Sequence, residues 1–215
     1  TLRAKVELER FALSVGVEIK CYHGDNGIFK CKAWIDDCKL KDQKYEYSGV
    51  GAKHQNGVAE RAIGTNCRWA RSMLLHSALH WLEQADSSLW PLAMSYAAWI
   101  WNRMPQFNSG YSPEELFTRV KSNHTSLNRA RVWGSTVFVL DPKLQDGKKL
   151  PKWKKRASAG MFVGFSDQHS STVSRVLNIY SGSITPQFHV VHDELFTTVN
   201  NSQVTNPEER WEMLV

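Results

Sequence analysis

The chain has 215 residues, 42% hydrophobic and 22% charged, with a net charge of +6 and a pI of about 9.2. That is a globular composition, enough for one large or two small domains, and its positive balance favours polyanionic partners. It excludes a membrane-spanning segment, because the longest apolar run, residues 89–104, is interrupted by Pro91, Tyr96 and Asn102. The charged start, Thr1-Leu2-Arg3-Ala4-Lys5, does not resemble a secretory signal, and the absence of an opening methionine is what a fragment would show. Cys21, Cys31, Cys38 and Cys67 form no C-x-x-C pair, so reduced thiols in an intracellular protein are expected rather than a zinc site.

Residues 1–15 predict an amphipathic helix. Ala4, Leu8, Phe11, Ala12 and Val15 form its apolar face, with Lys5, Glu7, Glu9 and Arg10 between them and Gly16 ending it. Residues 17–21 alternate as a strand, 29–40 predict a short helix, and the aromatic run 45–50 predicts a second strand. A longer helix follows from about residue 57 to residue 75, with Asn56 or Gly57 suited to its cap. Projected at about 100° per residue, Val58, Ala59, Ala62, Ile63, Trp69, Ala70 and Met73 gather on one side. Glu60, Gly64, Arg68 and Arg71 gather on the other, with Arg61 at its edge. This alternation of helix and strand predicts parallel pairing, with any site at the carboxyl ends of the strands.

A helix over 86–102 carries Pro91 in its first turn, has Pro105 beyond its end, and presents a core-type face of Trp90, Met94, Ala97, Ala98 and Trp101. The composition turns polar over 121–128, where a domain boundary is expected. Short β-type runs then follow at 136–140, 161–165, 176–180 and 188–191, separated by turn residues as in a small β-barrel. The densest basic run is 148–156, with Trp153 inside it. It suits phosphate contact with stacking, and equally a solvated loop between strands. The tail from Val199 is polar and carries no motif.

Two acidic motifs carry the chemistry. Asp25 falls just past a strand in Asp25-Asn26-Gly27, a sequence that by itself suits a hairpin turn. Glu60 lies on the helix that follows His54-Gln55-Asn56-Gly57-Val58-Ala59-Glu60-Arg61. A carboxylate among guanidinium groups suits a divalent metal beside a phosphate chain, and also suits ordinary surface ion pairs. Thirty-four residues lie between the two carboxylates. Together the motifs resemble the last two acidic residues of the D,D(35)E signature, and the integrase of copia-type LTR retrotransposons in particular. The spacing is one short of the usual value, which a deletion in the intervening loops would accommodate. The pieces Leu89-Trp90-Pro91-Leu92-Ala93, Asn102-Arg103-Met104-Pro105 and Tyr111-Ser112-Pro113-Glu114-Glu115-Leu116-Phe117 resemble the same core. Val132-Trp133-Gly134, the run 160–165 and Pro186-Gln187-Phe188-His189-Val190-Val191-His192-Asp193 resemble the SH3-like region that follows it.

The resemblance covers residues 1–197 and implies an α/β fold, a truncated RNase H-like integrase core, followed by a small all-β SH3-like barrel. The core would be 1–122, the linker 123–130, the SH3-like domain 131–197 and the polar tail 198–215. It implies a parent protein, part of a transposable element, that processes element DNA ends and joins them to target DNA by metal-dependent phosphodiester transfer. Asp25 and Glu60 would be catalytic and would hold Mg2+ or Mn2+. Lys53, His54, Gln55 and Asn56 would lie over the site and touch DNA. Arg61, Arg68, Arg71, Lys152, Lys154, Lys155 and Arg156 would contact phosphates. The implied partners are element-end and target DNA, with homo-oligomerisation and a nuclear location for the parent. The family's first catalytic Asp, its three opening strands and its His/Cys zinc module have no counterpart in this chain. Catalysis by this piece on its own is therefore not expected. The alternatives are a non-catalytic nucleic-acid-binding module and an inert relic of an integrase.

Overall fold

A computed structural model describes residues 1–25, 27–49, 51–81, 83–169 and 173–199. Asn26 and Val50, which figured in the readings above, and the tail beyond residue 199 lie outside the described residues. The chain divides into two compact units, Thr1–Thr65 with Arg103–Asn123, and Asn66–Asn102 with the described part of His124–Val215.

In the first unit, helix α1 (Leu2–Ser14) leads to strand β1 (Cys21–Gly24), helix α2 (Lys32–Leu40) and strand β2 (Lys44–Tyr47). β1 and β2 pair in parallel, Cys21 opposite Lys44 through Gly24 opposite Tyr47, as the alternation of elements predicts. Both strands differ in extent from the expected ones. β1 begins where 17–21 was expected to end, because the ladder starts only where β2 supplies a partner. The apolar face expected of α1 is also corrected. Ala12 is buried, but Leu8 and Phe11 are exposed, and the residue at the centre of the unit is Lys5, 2% exposed.

Lys5 is buried because its charge is met from three directions. Its Nζ donates to Glu9 at 2.6 Å, Asp37 at 2.5 Å and Gln43 at 2.6 Å, and lies over the rings of Tyr22 and Trp34. Lys41 also reaches Glu9 and Asp37, and the Tyr22 hydroxyl donates to Glu9. Burial works against the charged form of Glu9, but the hydrogen bonds from Lys41, Lys5, Gln43 and Tyr22 outweigh it and hold the carboxyl down to about 2. Helix α5 (Pro113–Thr118) completes this unit. Ser112 and Glu115 form a reciprocal capping box at its start, and Arg119 ends it in the left-handed conformation.

Helix α3 (Gly57–His80) contributes its first nine residues to the first unit and the rest to the second. It runs five residues beyond the expected end. Its start is a 3-10 turn, Lys53–Asn56, that leads straight into the helix at Gly57. The expected apolar stripe is buried only in part. Val58 is 76% and Ile63 61% exposed, whereas Ala70 and Leu74 are buried.

The second unit joins the rest of α3 and helix α4 (Trp90–Arg103) to a five-stranded antiparallel sheet. Its strands are β3 (Thr136–Leu140), β4 (Ala157–Phe165), β5 (Ser174–Asn178), β6 (Ile184–Gln187) and β7 (Val190–Asp193), in the order β6-β5-β4-β3-β7. Four strands therefore meander, and the last returns to the free edge of the first. β3 matches the expected run residue for residue. The run 188–191 is instead divided, since Phe188 and His189 turn the chain between β6 and β7. A single apolar core includes Leu74, Ala78, Trp81, Ala93, Tyr96, Ala97, Trp133, Val137, Met161, Phe162 and Val176. The face of α4 is corrected too. Trp90 is exposed, and the buried stripe is Ala93, Tyr96 and Ala97, so Tyr96 belongs to the core. Its hydroxyl donates to the Arg131 carbonyl and accepts from the Arg131 N–H, both at 2.7 Å. Burial pushes the Tyr96 phenol up to about 12.

Candidate nucleic-acid interface

Both acidic motifs leave the carboxyl edge of the parallel pair in the first unit. The Ser48 N–H donates to the Gly24 carbonyl at 2.9 Å, which closes the ladder where both strands end. Asp25 is the next residue after Gly24. It is exposed, and its Oδ1 accepts the Gly27 N–H at 3.2 Å, so the carboxylate holds its own turn. On the other strand the chain leaves Ser48 through Gly49 and Gly51 into the turn Lys53–Asn56. The Gln55 Oε1 accepts the Gly49 N–H at 2.7 Å, which ties the turn back to the strand end. Gln55 is thus occupied in fixing the backbone. His54 is exposed and Asn56 half-buried, and Glu60 stands exposed in the first turn of α3.

Arg61, Arg68 and Arg71 are exposed along α3, Arg61 in the first unit and the other two in the second. The Arg61 guanidinium lies over Gly57, where an added Cβ would meet its nitrogen at 3.4 Å. No contact joins Asp25 to Glu60 among the described residues. Nor, among them, do three His, Cys, Asp or Glu side chains gather anywhere as a set of metal ligands. Two exposed carboxylates provide too few donors to fix a pair of divalent ions. The described residues therefore do not fit the two-ion centre that the resemblance implies.

The basic run lies in the second unit, between β3 and β4. A one-turn helix, α6 (Pro142–Gln145), precedes it, and the Asp141 N–H bonds to the Arg156 carbonyl at 2.8 Å, closing the excursion at its base. Lys152, Lys154, Lys155 and Arg156 are exposed, and among the described residues none of them has an acidic partner; Lys148 pairs with Asp146 at 3.5 Å. Trp153, at the turn, is 93% exposed. One residue here escaped sequence reasoning. Tyr180, 79% exposed in the turn between β5 and β6, has the Lys155 ammonium 5.9 Å from its ring centre. The only sequence signal was an aromatic residue at the head of a turn, Tyr180-Ser181-Gly182-Ser183.

No family model matches the chain. Over 159 residues, 71% of its length, it is 27% identical to a retrovirus-related Pol polyprotein from the transposon TNT 1-94 of Nicotiana tabacum. That similarity supports a retrotransposon Pol-derived chain. The matched stretch is 11% of that polyprotein, so the chain spans a small part of the relative it matches. No described helix is long and apolar enough to cross a membrane.

Proposed function

We propose that the chain derives from a copia-type integrase and acts on its own as a nucleic-acid-binding module. The observation that carries this reading is the parallel pair β1/β2, from whose shared carboxyl edge the Asp25 and Glu60 segments depart in the family's order. The strand order of the second unit supports an SH3-like domain, because a four-strand meander whose fifth strand returns to the first is what such a domain needs. On this reading 1–122 and 131–197 are the two ancestral parts, joined by 123–130. The packing of 66–102 with the sheet then joins α-helical core to β domain in one folded unit. DNA ends and target DNA are the proposed partners, with a nuclear site and self-association belonging to the intact parent. Asp25 and Glu60 are the inherited catalytic carboxylates. Within this chain the exposed cations Lys152, Lys154, Lys155 and Arg156 hold phosphates.

Two measurements test this. Binding of a labelled DNA duplex is expected to weaken steeply with salt, to survive Asp25→Asn, and to fall on joint neutralisation of the four basic residues. Binding indifferent to salt or to that neutralisation overturns the module. For the lineage, a chain extended upstream to include a first Asp is expected to join DNA ends in Mg2+ and to lose that activity with Glu60→Gln. Transfer undiminished by the substitution overturns the catalytic ancestry.

A further inference from the structure

We propose that Trp153, Lys155 and Tyr180 form a stacking platform that selects unpaired bases, so that the β domain prefers single-stranded nucleic acid to duplex. The proposal rests on the nucleic-acid reading above and adds the form of the substrate to it. Its basis is the pairing of Lys155 with Tyr180 at one end of the sheet, with the exposed Trp153 two residues from Lys155 in the chain. In the β4–β5 ladder Gly160 stands opposite Asn178, so Tyr180, two residues beyond Asn178, and Lys155, five before Gly160, leave the pair at the same end. Their side chains meet there, the ammonium over the ring. Trp153 is two residues before Lys155, in the turn that leads toward β4.

The platform is held in advance. The Asn178 Oδ1 accepts the N–H groups of Tyr180 at 2.9 Å and Ser181 at 3.2 Å, and the Asn178 carbonyl accepts from Gly182. On the other side, the Lys154 N–H bonds to the Pro151 carbonyl at 3.0 Å and brings Trp153 to the tip of a turn. Two large aromatic side chains so exposed offer flat faces that a partner could cover. An extended apolar partner is a poor match, because Lys155 lies over the Tyr180 ring and Lys152, Lys154 and Arg156, chain neighbours of Trp153, are exposed with no acidic partner among the described residues. An anion that also offers flat faces satisfies both features, and an unstacked polynucleotide is such a partner. A duplex supplies the phosphates but keeps its base faces stacked on one another, leaving the two rings without a counterpart.

The test compares a labelled oligothymidylate of about a dozen nucleotides with a duplex of the same length, by fluorescence anisotropy at low salt. The single strand is expected to bind more tightly. Trp153→Ala and Tyr180→Ala are each expected to weaken it by about 5- to 100-fold, the effect of one lost base–aromatic stack, while changing duplex binding little. Trp153→Phe should restore most of the loss. Substituting Lys152 and Lys154 should weaken both forms alike. If both forms bind and neither aromatic substitution matters, the platform is overturned and the nucleic-acid reading stands. Inorganic polyphosphate that competes as well as the oligonucleotide would overturn the platform in the same way. If neither form binds, both readings fall.

Discussion

The two units reach order by different routes. In the first, the buried apolar residues among those described are few, Ala12, Trp34 and Cys38, and the centre is a lysine held by two carboxylates, an amide oxygen and two aromatic rings. In the second, the core residues form one contiguous apolar cluster drawn from two helices and the sheet. Apolar burial is non-directional and degrades gradually, whereas a buried charge needs every partner in place. The first unit also leaves apolar side chains of its own uncovered. Leu8 and Phe11 on α1, Val58 and Ile63 on α3, and Leu116 on α5 all face solvent among the described residues. Its amphipathic helices therefore carry a pattern that is only half used, and its stability depends on polar geometry to a degree that the second unit's does not.

The largest expected effect that would sharpen this contrast comes from Lys5→Met. Removing the cation leaves Lys41 as the remaining cation for Glu9 and Asp37 and takes the donor from the Gln43 amide oxygen, and should cost about 3–5 kcal/mol. Hydrogen exchange read by mass spectrometry should show α1, α2 and β1/β2 losing protection while β3–β5 keep theirs. Uniform loss across the chain would break the comparison.

Gly134→Ala is the counterpart in the second unit, with a smaller effect. Gly134 has φ +82, and an added Cβ would meet the Ser77 side chain at 2.6 Å. Its carbonyl also accepts the buried Trp81 indole N–H at 2.7 Å. Backbone strain and the clash together should cost about 2–3 kcal/mol, with loss of protection confined to β3, β4 and the second half of α3. A substitution that leaves stability unchanged would show that this junction is not tightly packed.

The smallest effect is in mild acid. Burial, and then the nearby His80 charge, lower the pKa of His76, and burial chiefly lowers that of His192. Both are more basic unfolded than folded, so the second unit loses stability as pH falls below the ordinary histidine value of about 6.5. Glu9 and Asp37 are depressed carboxylates in the first unit, Glu9 to about 2. Their contribution is intact above the ordinary carboxylate range and is lost only as pH falls through it toward that value. Exchange protection at about pH 5.5 should therefore drop first in the second unit. The reverse order would contradict the assignment of these shifts to burial and to the Lys5 network.

Local chemistry made much of this molecule legible in its sequence. The strand 136–140, the α2 and α4 helices and the parallel pairing of β1 with β2 follow from periodicity, breakers and element order. The two acidic motifs fall on a strand end and on a helix, as their neighbouring residues require. What failed has one cause. Lys5 reads as a surface charge because its partners, Asp37 and Gln43, are more than thirty residues away. Val58 and Ile63 read as core because amphipathy records what a face can bury against and says nothing of whether a partner is present. Phe188 and His189 read as strand because β propensity does not reveal where a chain must turn to reach a sheet edge.

The sequence by itself determined most of the helices and strands, their order and the chemical kinds of residue at the acidic edge and in the basic run, since propensity, capping and charge act over a few residues. Tertiary structure alone decided which helix faces are buried, that a lysine organises the first unit, and that Tyr180 stands beside Lys155. Those outcomes depend on contacts between residues distant in the chain, and only the folded arrangement brings them within the few ångströms over which packing and hydrogen bonds act.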